Sequence, residues 1–217
     1  RALDLKMKTV TTIAGVGDTY LGEYTFDRLA VRDKARVGTT DRIVTVGTLE
    51  ITGDAFLSAH DVEFFTTTAT TFGGGTLQVQ QPFMGQTATF SNANLTVEGD
   101  MVVDALSLKD SAFRVKGQLT TPSIALTRST LTGTQVVAAT AVELRDSSVL
   151  TTFTATSTQT FALYVTTPFL TVDSTSRVDV SGKGYLRCET LGRENLSSLG
   201  TLGGSYGGLG GYATERG

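Results

Sequence analysis

One short phrase recurs along this chain: an apolar residue, any residue, a second apolar residue, then a polar turn. It reads Leu29-Ala30-Val31-Arg32-Asp33, Leu49-Glu50-Ile51-Thr52-Gly53-Asp54, Leu95-Thr96-Val97-Glu98-Gly99-Asp100 and Leu106-Ser107-Leu108-Lys109-Asp110-Ser111. It returns as Ile124-Ala125-Leu126-Thr127-Arg128-Ser129, Val142-Glu143-Leu144-Arg145-Asp146-Ser147 and Leu170-Thr171-Val172-Asp173-Ser174. Leu108, Leu126 and Leu144 stand 18 residues apart, and Leu29 and Leu49 stand 20 apart. Pieces this short leave no room for the crossover helices of an α/β fold. A period of about 20 residues, made of short strands and polar turns, is the signature of a coiled β-solenoid.

The expected fold is therefore all-β: an elongated parallel β-solenoid with a glycine-rich C-terminal segment. A β-sandwich or a two-part all-β chain is the alternative, because the spacing before residue 92 is irregular. Three parts follow from the rhythm: an irregular β-rich or solenoid part over 1–87, a regular solenoid over 88–182, and a glycine-rich segment over 183–217. In the regular part the inward residues stack coil on coil, Leu108 on Leu126 on Leu144 and Phe113 on Leu131 on Val149. Stacking closes a core that no single coil buries alone. The 39 threonines support extended backbone, since a β-branched side chain favours strands. No polar cap is evident at either end, and the chain reads as a processed or excised piece of something longer.

Charge narrows the function. The net charge is −3 with no basic stripe, which argues against nucleic acid. No apolar run approaches the roughly 18 residues of a membrane helix, and no polybasic membrane patch occurs. The single Cys188 excludes an internal disulfide framework.

Eleven of the 24 glycines lie between Gly182 and Gly217. Within them, Tyr206 and Tyr212 are the candidate subunit contacts. The run Leu170-Thr171-Val172-Asp173 through Val178-Asp179-Val180-Ser181-Gly182-Lys183-Gly184-Tyr185, followed by Gly203-Gly204-Ser205-Tyr206-Gly207-Gly208-Leu209-Gly210-Gly211, resembles very large bacterial surface or secreted proteins. Those proteins carry parallel β-helices followed by glycine-rich segments. The general pattern is also similar to filamentous-haemagglutinin-type adhesins. The resemblance implies an extracellular or cell-surface location and a repetitive, structural or adhesive role.

Chemistry is harder to find. A glycoside hydrolase needs carboxylates flanking one bond, and no Asp-Asp pair occurs. The carboxylate groupings are Glu98, Asp100 and Asp104; Glu143 and Asp146; and Asp173 and Asp179. Asp110 and Asp146 fall at matching repeat positions, with Ser129 expected between them. All of these read first as turn residues bonding to local backbone. Lys109, Arg128 and Arg145 are expected to align as a basic ladder, which could meet an anionic polysaccharide but reads first as a solvated face. The lone His60 has no nucleophile-elbow phrase to serve, and Cys188 lacks partners for zinc. The Thr152, Thr154, Thr156, Thr158, Thr160 alternation has the look of a flat threonine ladder, but such a ladder repeats at the same point in each coil, and the corresponding positions here hold Lys109, Arg128 and Arg145, which argues against it.

The expectation is a structural or adhesive segment, a stalk, fibre or filament subunit, with no catalytic centre, cofactor or metal. Its partners would be like subunits or neighbouring domains of a longer chain. The alternative is a carbohydrate-binding or polysaccharide-cleaving β-helix, with Arg145, Asp146, Phe161 and Tyr164 as candidate contacts to surface glycans.

Overall fold

The computed structural model describes residues 3–11, 23–39, 42–60, 62–64, 70–80, 83–156 and 158–184. Among these there is no helix. Seventeen strands form one continuous sheet. They are β1 (Leu3–Thr11), β2 (Glu23–Val31), β3 (Arg36–Gly38), β4 (Arg42–Thr52), β5 (Phe56–Ala59), β6 (Val62–Phe64), β7 (Thr70–Gly73), β8 (Thr76–Val79) and β9 (Phe83–Ser91). There follow β10 (Asn94–Val97), β11 (Met101–Lys109), β12 (Ala112–Thr127), β13 (Thr130–Arg145), β14 (Val149–Thr151), β15 (Tyr164–Thr166), β16 (Phe169–Val172) and β17 (Arg177–Val178).

The pairing wraps this sheet into a parallel β-solenoid with three faces, each eight strand segments deep among the described residues. The first face stacks the C-terminal halves of β2, β4, β9, β11, β12 and β13 with β7 and β16. The second stacks β3, β5, β8, β10, the starts of β12 and β13, then β14 and β17. The third stacks the first halves of β2, β4, β9 and β11 with β6, the middles of β12 and β13, and β15. Among the described residues every strand pairing is parallel except one. β1 lies antiparallel on the edge of β2 opposite β4, with Leu3 facing Val31 and Thr11 facing Glu23. The parallel series there meets one antiparallel strand, a sense that the sequence did not reveal.

The core is a set of apolar columns along the axis. On the first face Val31, Ile51, Phe72, Phe90, Leu108, Leu126, Leu144 and Val172 follow one another in register. Leu108, Leu126 and Leu144 are all buried. On the second face the column runs Leu57, Leu77, Leu95, Phe113, Leu131 and Leu150, also buried. Phe90 meets Phe113 edge to face across the interior at 5.3 Å between ring centroids, a geometry that aromatic quadrupoles favour. Val149 does not join this column: it pairs with Thr130 and is only half-buried, while Leu150 faces Leu131 and is fully buried. The reason is local. The turn after Arg145 carries one more residue than the four before it, so the step to the next buried serine is 19, from Ser129 to Ser148.

Residue 88 lies inside a strand. β9 runs straight through 87 and 88, and the same columns extend back through β2 and β4. What changes earlier is turn length. The final coil changes more: Thr175 and Ser176 bond to residues 28 positions earlier. The extra length lies in the corner between β14 and β15. There the Phe153 and Phe161 rings pack 5.3 Å apart, and the Arg114 guanidinium lies 5.2 Å from the Phe153 ring. This corner takes the place of the threonine ladder. Thr152 is buried, and Thr156 Oγ1 accepts the Gln159 N–H at 3.0 Å as a local turn.

Candidate functional site

The chemistry-bearing residues collect at the corner between the first and second faces, where the recurring polar turn falls. All but the last of these turns carry a residue with positive φ that reverses the chain sharply. These are Asp33, Lys34, Asp54, Asn92, Asp110, Arg128, Asp146 and Ser147, with Gly53 and Gly74 in the same series. Asp and Asn tolerate this region because their short side chains bond locally. The turns bond to one another along the axis: Asn92 N–H to the Lys109 carbonyl at 3.0 Å, Asp110 N–H to Thr127 at 3.0 Å, and Arg128 N–H to Arg145 at 3.2 Å.

Just inside this corner runs a buried serine ladder. Ser111 Oγ donates to the Lys109 carbonyl at 2.7 Å and accepts the Ala93 N–H at 3.2 Å. Ser129 Oγ donates to Thr127 at 2.8 Å and accepts the Ser111 N–H at 3.1 Å. Ser148 Oγ donates to Arg145 at 2.6 Å and accepts the Ser129 N–H at 3.2 Å, and Ser176 Oγ accepts the Ser148 N–H at 3.0 Å. Each hydroxyl satisfies one donor in the coil before it and one acceptor in its own coil, so the turn can be buried without orphaned groups. Ser111 and Ser129, which close two of the polar phrases, were the signal for this ladder; the bonding, and its continuation through Ser148 and Ser176, is what sequence reading missed.

Outside the serines lies a charged column. Asp110, Arg128 and Asp146 share one register position, so Arg128 stands between the two aspartates and Ser129 sits one column further in. Arg128 Nε and Nη2 donate to Asp110 at 2.6 and 3.0 Å, and Nη1 lies 3.5 Å from Asp146. The Arg128 hydrogen bond holds the Asp110 carboxyl below its usual range, and Asp110 in turn raises Arg128. The column is exposed, so water screens it and it adds little stability. The expected basic ladder is not formed. Lys109, Thr127 and Arg145 share one column while Arg128 lies in the next, and Arg145 pairs with Glu143 at 2.7 Å.

Several other carboxylates are similarly engaged. Glu98 pairs with Lys116, and Asp100 Oδ1 accepts the Gln118 N–H at 2.8 Å. Asp179 accepts the Ser181 N–H at 2.9 Å, which chiefly lowers its pKa, and pairs with Arg177 at 3.2 Å. Asp173 is the most heavily bonded. It accepts the N–H groups of Asp146 at 2.7 Å, Ser176 at 2.8 Å and Thr175 at 3.0 Å, and the Thr175 hydroxyl at 2.9 Å. Four donors stabilise the anion and hold its pKa far below the usual carboxylate range, the Asp146 N–H first among them. Asp173 thus ties the last coil to the turn before it.

The four candidate glycan contacts do not converge. Arg145 and Asp146 stand at the corner before β14, whereas Phe161 and Tyr164 belong to the corner after it. A shallow open depression lies beside the first pair, lined by Arg128, Asp146, Ser147 and Thr175. Its one cation is already matched to Asp110 and Asp146. Among the described residues no three His, Cys, Asp or Glu side chains gather in a metal-holding group. Cys188, Tyr206 and Tyr212 lie outside the described residues.

The second notable surface is the end coil. Tyr164, Phe169, Leu170, Val172, Val178 and Val180 are exposed, Phe169 at 68%. Leu170 and Val172 occupy the register of Val142 and Leu144, and Val178 that of Leu150, all fully buried one coil earlier. These are core positions with no coil stacked beyond them among the described residues. Comparison with family models, curated proteins and solved structures finds no match for this chain.

Proposed function

We propose that this chain is a structural segment of a secreted or cell-surface protein, a stiff length of stalk or fibre built by stacking coils. The observation that carries the reading is the end coil, whose core-register residues Leu170, Val172 and Val178 form an apolar edge made to receive a further coil. A solenoid interacts mainly through nearest-neighbour coils, so length is added without redesign of the coil. The engaged carboxylates and the paired Arg128 favour a scaffold over a reactive surface, because Asp100, Asp110, Asp173 and Arg128 each bond to a neighbouring coil. Its partners in this role are neighbouring coils of a longer polypeptide or like subunits.

Immunogold electron microscopy of intact, unpermeabilised cells with an antibody to residues 88–151 tests the reading. Gold along extended surface structures is the expected result. Labelling that needs permeabilisation would overturn it.

A further inference from the structure

The turn and axial bonds of this solenoid leave one polar side chain on the second face unused. Asn94 opens β10 two residues after the left-handed turn residue Asn92, and it is exposed on the outer side of the sheet. Its N–H is bonded to the Gly75 carbonyl at 2.8 Å, yet its carboxamide makes no hydrogen bond among the described residues. Asparagine is disfavoured in strands. Its outward neighbours in register are Thr76 and Ala112, ordinary small residues of a sheet surface. Neither packing nor bonding gives a reason for asparagine at this position.

The residue two positions on supplies one. Asn94-Leu95-Thr96 is the acceptor pattern for N-linked sugar: asparagine, any residue but proline, then a hydroxyl residue. Alternation along β10 buries Leu95 in the core and puts Asn94 and Thr96 on one outward face. The chain holds three asparagines. Asn92 serves the turn, and Asn195, which opens the same pattern, lies outside the described residues.

We propose that Asn94 carries an N-linked oligosaccharide, taken from a donor of the lipid-pyrophosphate-linked class. Asn94 Nδ2 forms a bond to the anomeric carbon of the first sugar, and the bond from that carbon to the pyrophosphate oxygen breaks. The lipid pyrophosphate leaves with the electron pair, and the amide nitrogen gives up one proton to a base of the transferase. In the finished fold β10 is paired with β8 on one edge and β12 on the other, so its backbone is not free to bend into an enzyme. Transfer therefore precedes the closing of this coil. The fold then accommodates the product, because Thr76 and Ala112, one ladder spacing of about 4.8 Å to either side, are too short to contest the space. A sugar there keeps the second face in water. The proposal rests on the secreted reading above, since this pattern is read on chains entering the secretory path.

Peptide mass mapping of the protein recovered from the cells that make it tests the proposal. An amidase that cleaves the sugar–asparagine bond, used in heavy-oxygen water, marks a glycosylated Asn94 with one heavy oxygen. The expected result is a marked Asn94 in the parent and in Thr96→Ser, and complete loss of the mark in Thr96→Val. Valine keeps the β-branched shape and removes only the hydroxyl, so this variant melts with the parent. An unmarked Asn94 in chain taken from the cell surface would overturn the glycan and leave the stalk reading standing, as would a mark that survives in Thr96→Val. Unmarked chain found only inside the cell would overturn both.

Discussion

Leu126 sits at the middle of the first-face column, 1% exposed, with Leu108 before it and Leu144 after it in strict register. Leu126→Ala removes three carbons from a site whose neighbours are held at the ladder spacing of about 4.8 Å. The backbone cannot close on the gap without breaking axial hydrogen bonds in two coils. The cost therefore falls in the upper part of the 2–5 kcal/mol range for Leu→Ala, about 4 kcal/mol. For a chain of this size each kcal/mol moves Tm by about 2–4 °C, so a fall of about 10 °C follows. Leu126→Asp is harsher. It places a carboxylate between two leucines with no donor in reach, so it must stay protonated or expel the strand, and the loss exceeds that of alanine. Thermal melts followed by circular dichroism, with urea titration at 25 °C, measure both variants. Because coils interact with their neighbours, hydrogen exchange should show the loss centred on β11, β12 and β13 and fading outwards. A Leu126→Asp protein that melts with the parent would refute the stacked core.

Three further outcomes follow. Val149→Ala should cost under about 1 kcal/mol while Leu150→Ala costs about 2–4, and equal costs would show that the 19-residue step is misplaced. Ser129→Ala leaves the buried Ser111 N–H without its acceptor, a loss of about 1–3 kcal/mol seen in denaturant titration, with faster exchange at the Ser111 amide as its local mark. The third concerns Asp173, whose folded pKa is depressed, so its contribution is complete above about pH 4 and is lost as pH falls below that. Limited proteolysis with pepsin between about pH 4 and pH 2 should therefore cut progressively faster within β16 and β17 than within β12, and Asp173→Asn should flatten that pH dependence. Equal cutting of the two regions across the range would contradict this.

The sequence disclosed the solenoid where turn length is constant. From Phe90 to Leu144 each column residue recurs every 18 positions, so simple spacing places Leu108, Leu126 and Leu144 together. It failed where a corner changes length, because periodicity does not say which of three corners absorbs an insertion. One extra residue near Ser147 shifted Val149 out of the column, and the length of the corner after β14 was not visible in the spacing. The charged column was misread for a related reason: Arg128 and Arg145 look equivalent in the phrase, yet a shift of one position separates an outward strand residue from a left-handed turn residue. The antiparallel sense of β1 was illegible, since alternation reads the same in both directions. The serine ladder was half visible, as a recurring letter without its bonds.

The central claim is axial stacking, one coil per repeat. Ser58, Gln78, Thr96, Arg114, Thr132 and Thr151 are successive partners on the second face. Electron-spin distance measurement between labels at Ser58 and Thr132, and at Ser58 and Thr151, tests it directly. At about 4.8 Å per coil, four and five steps predict backbone separations near 19 and 24 Å. Two distances that fail to differ by one strand spacing, as in a sandwich where these residues belong to different sheets, would contradict the account.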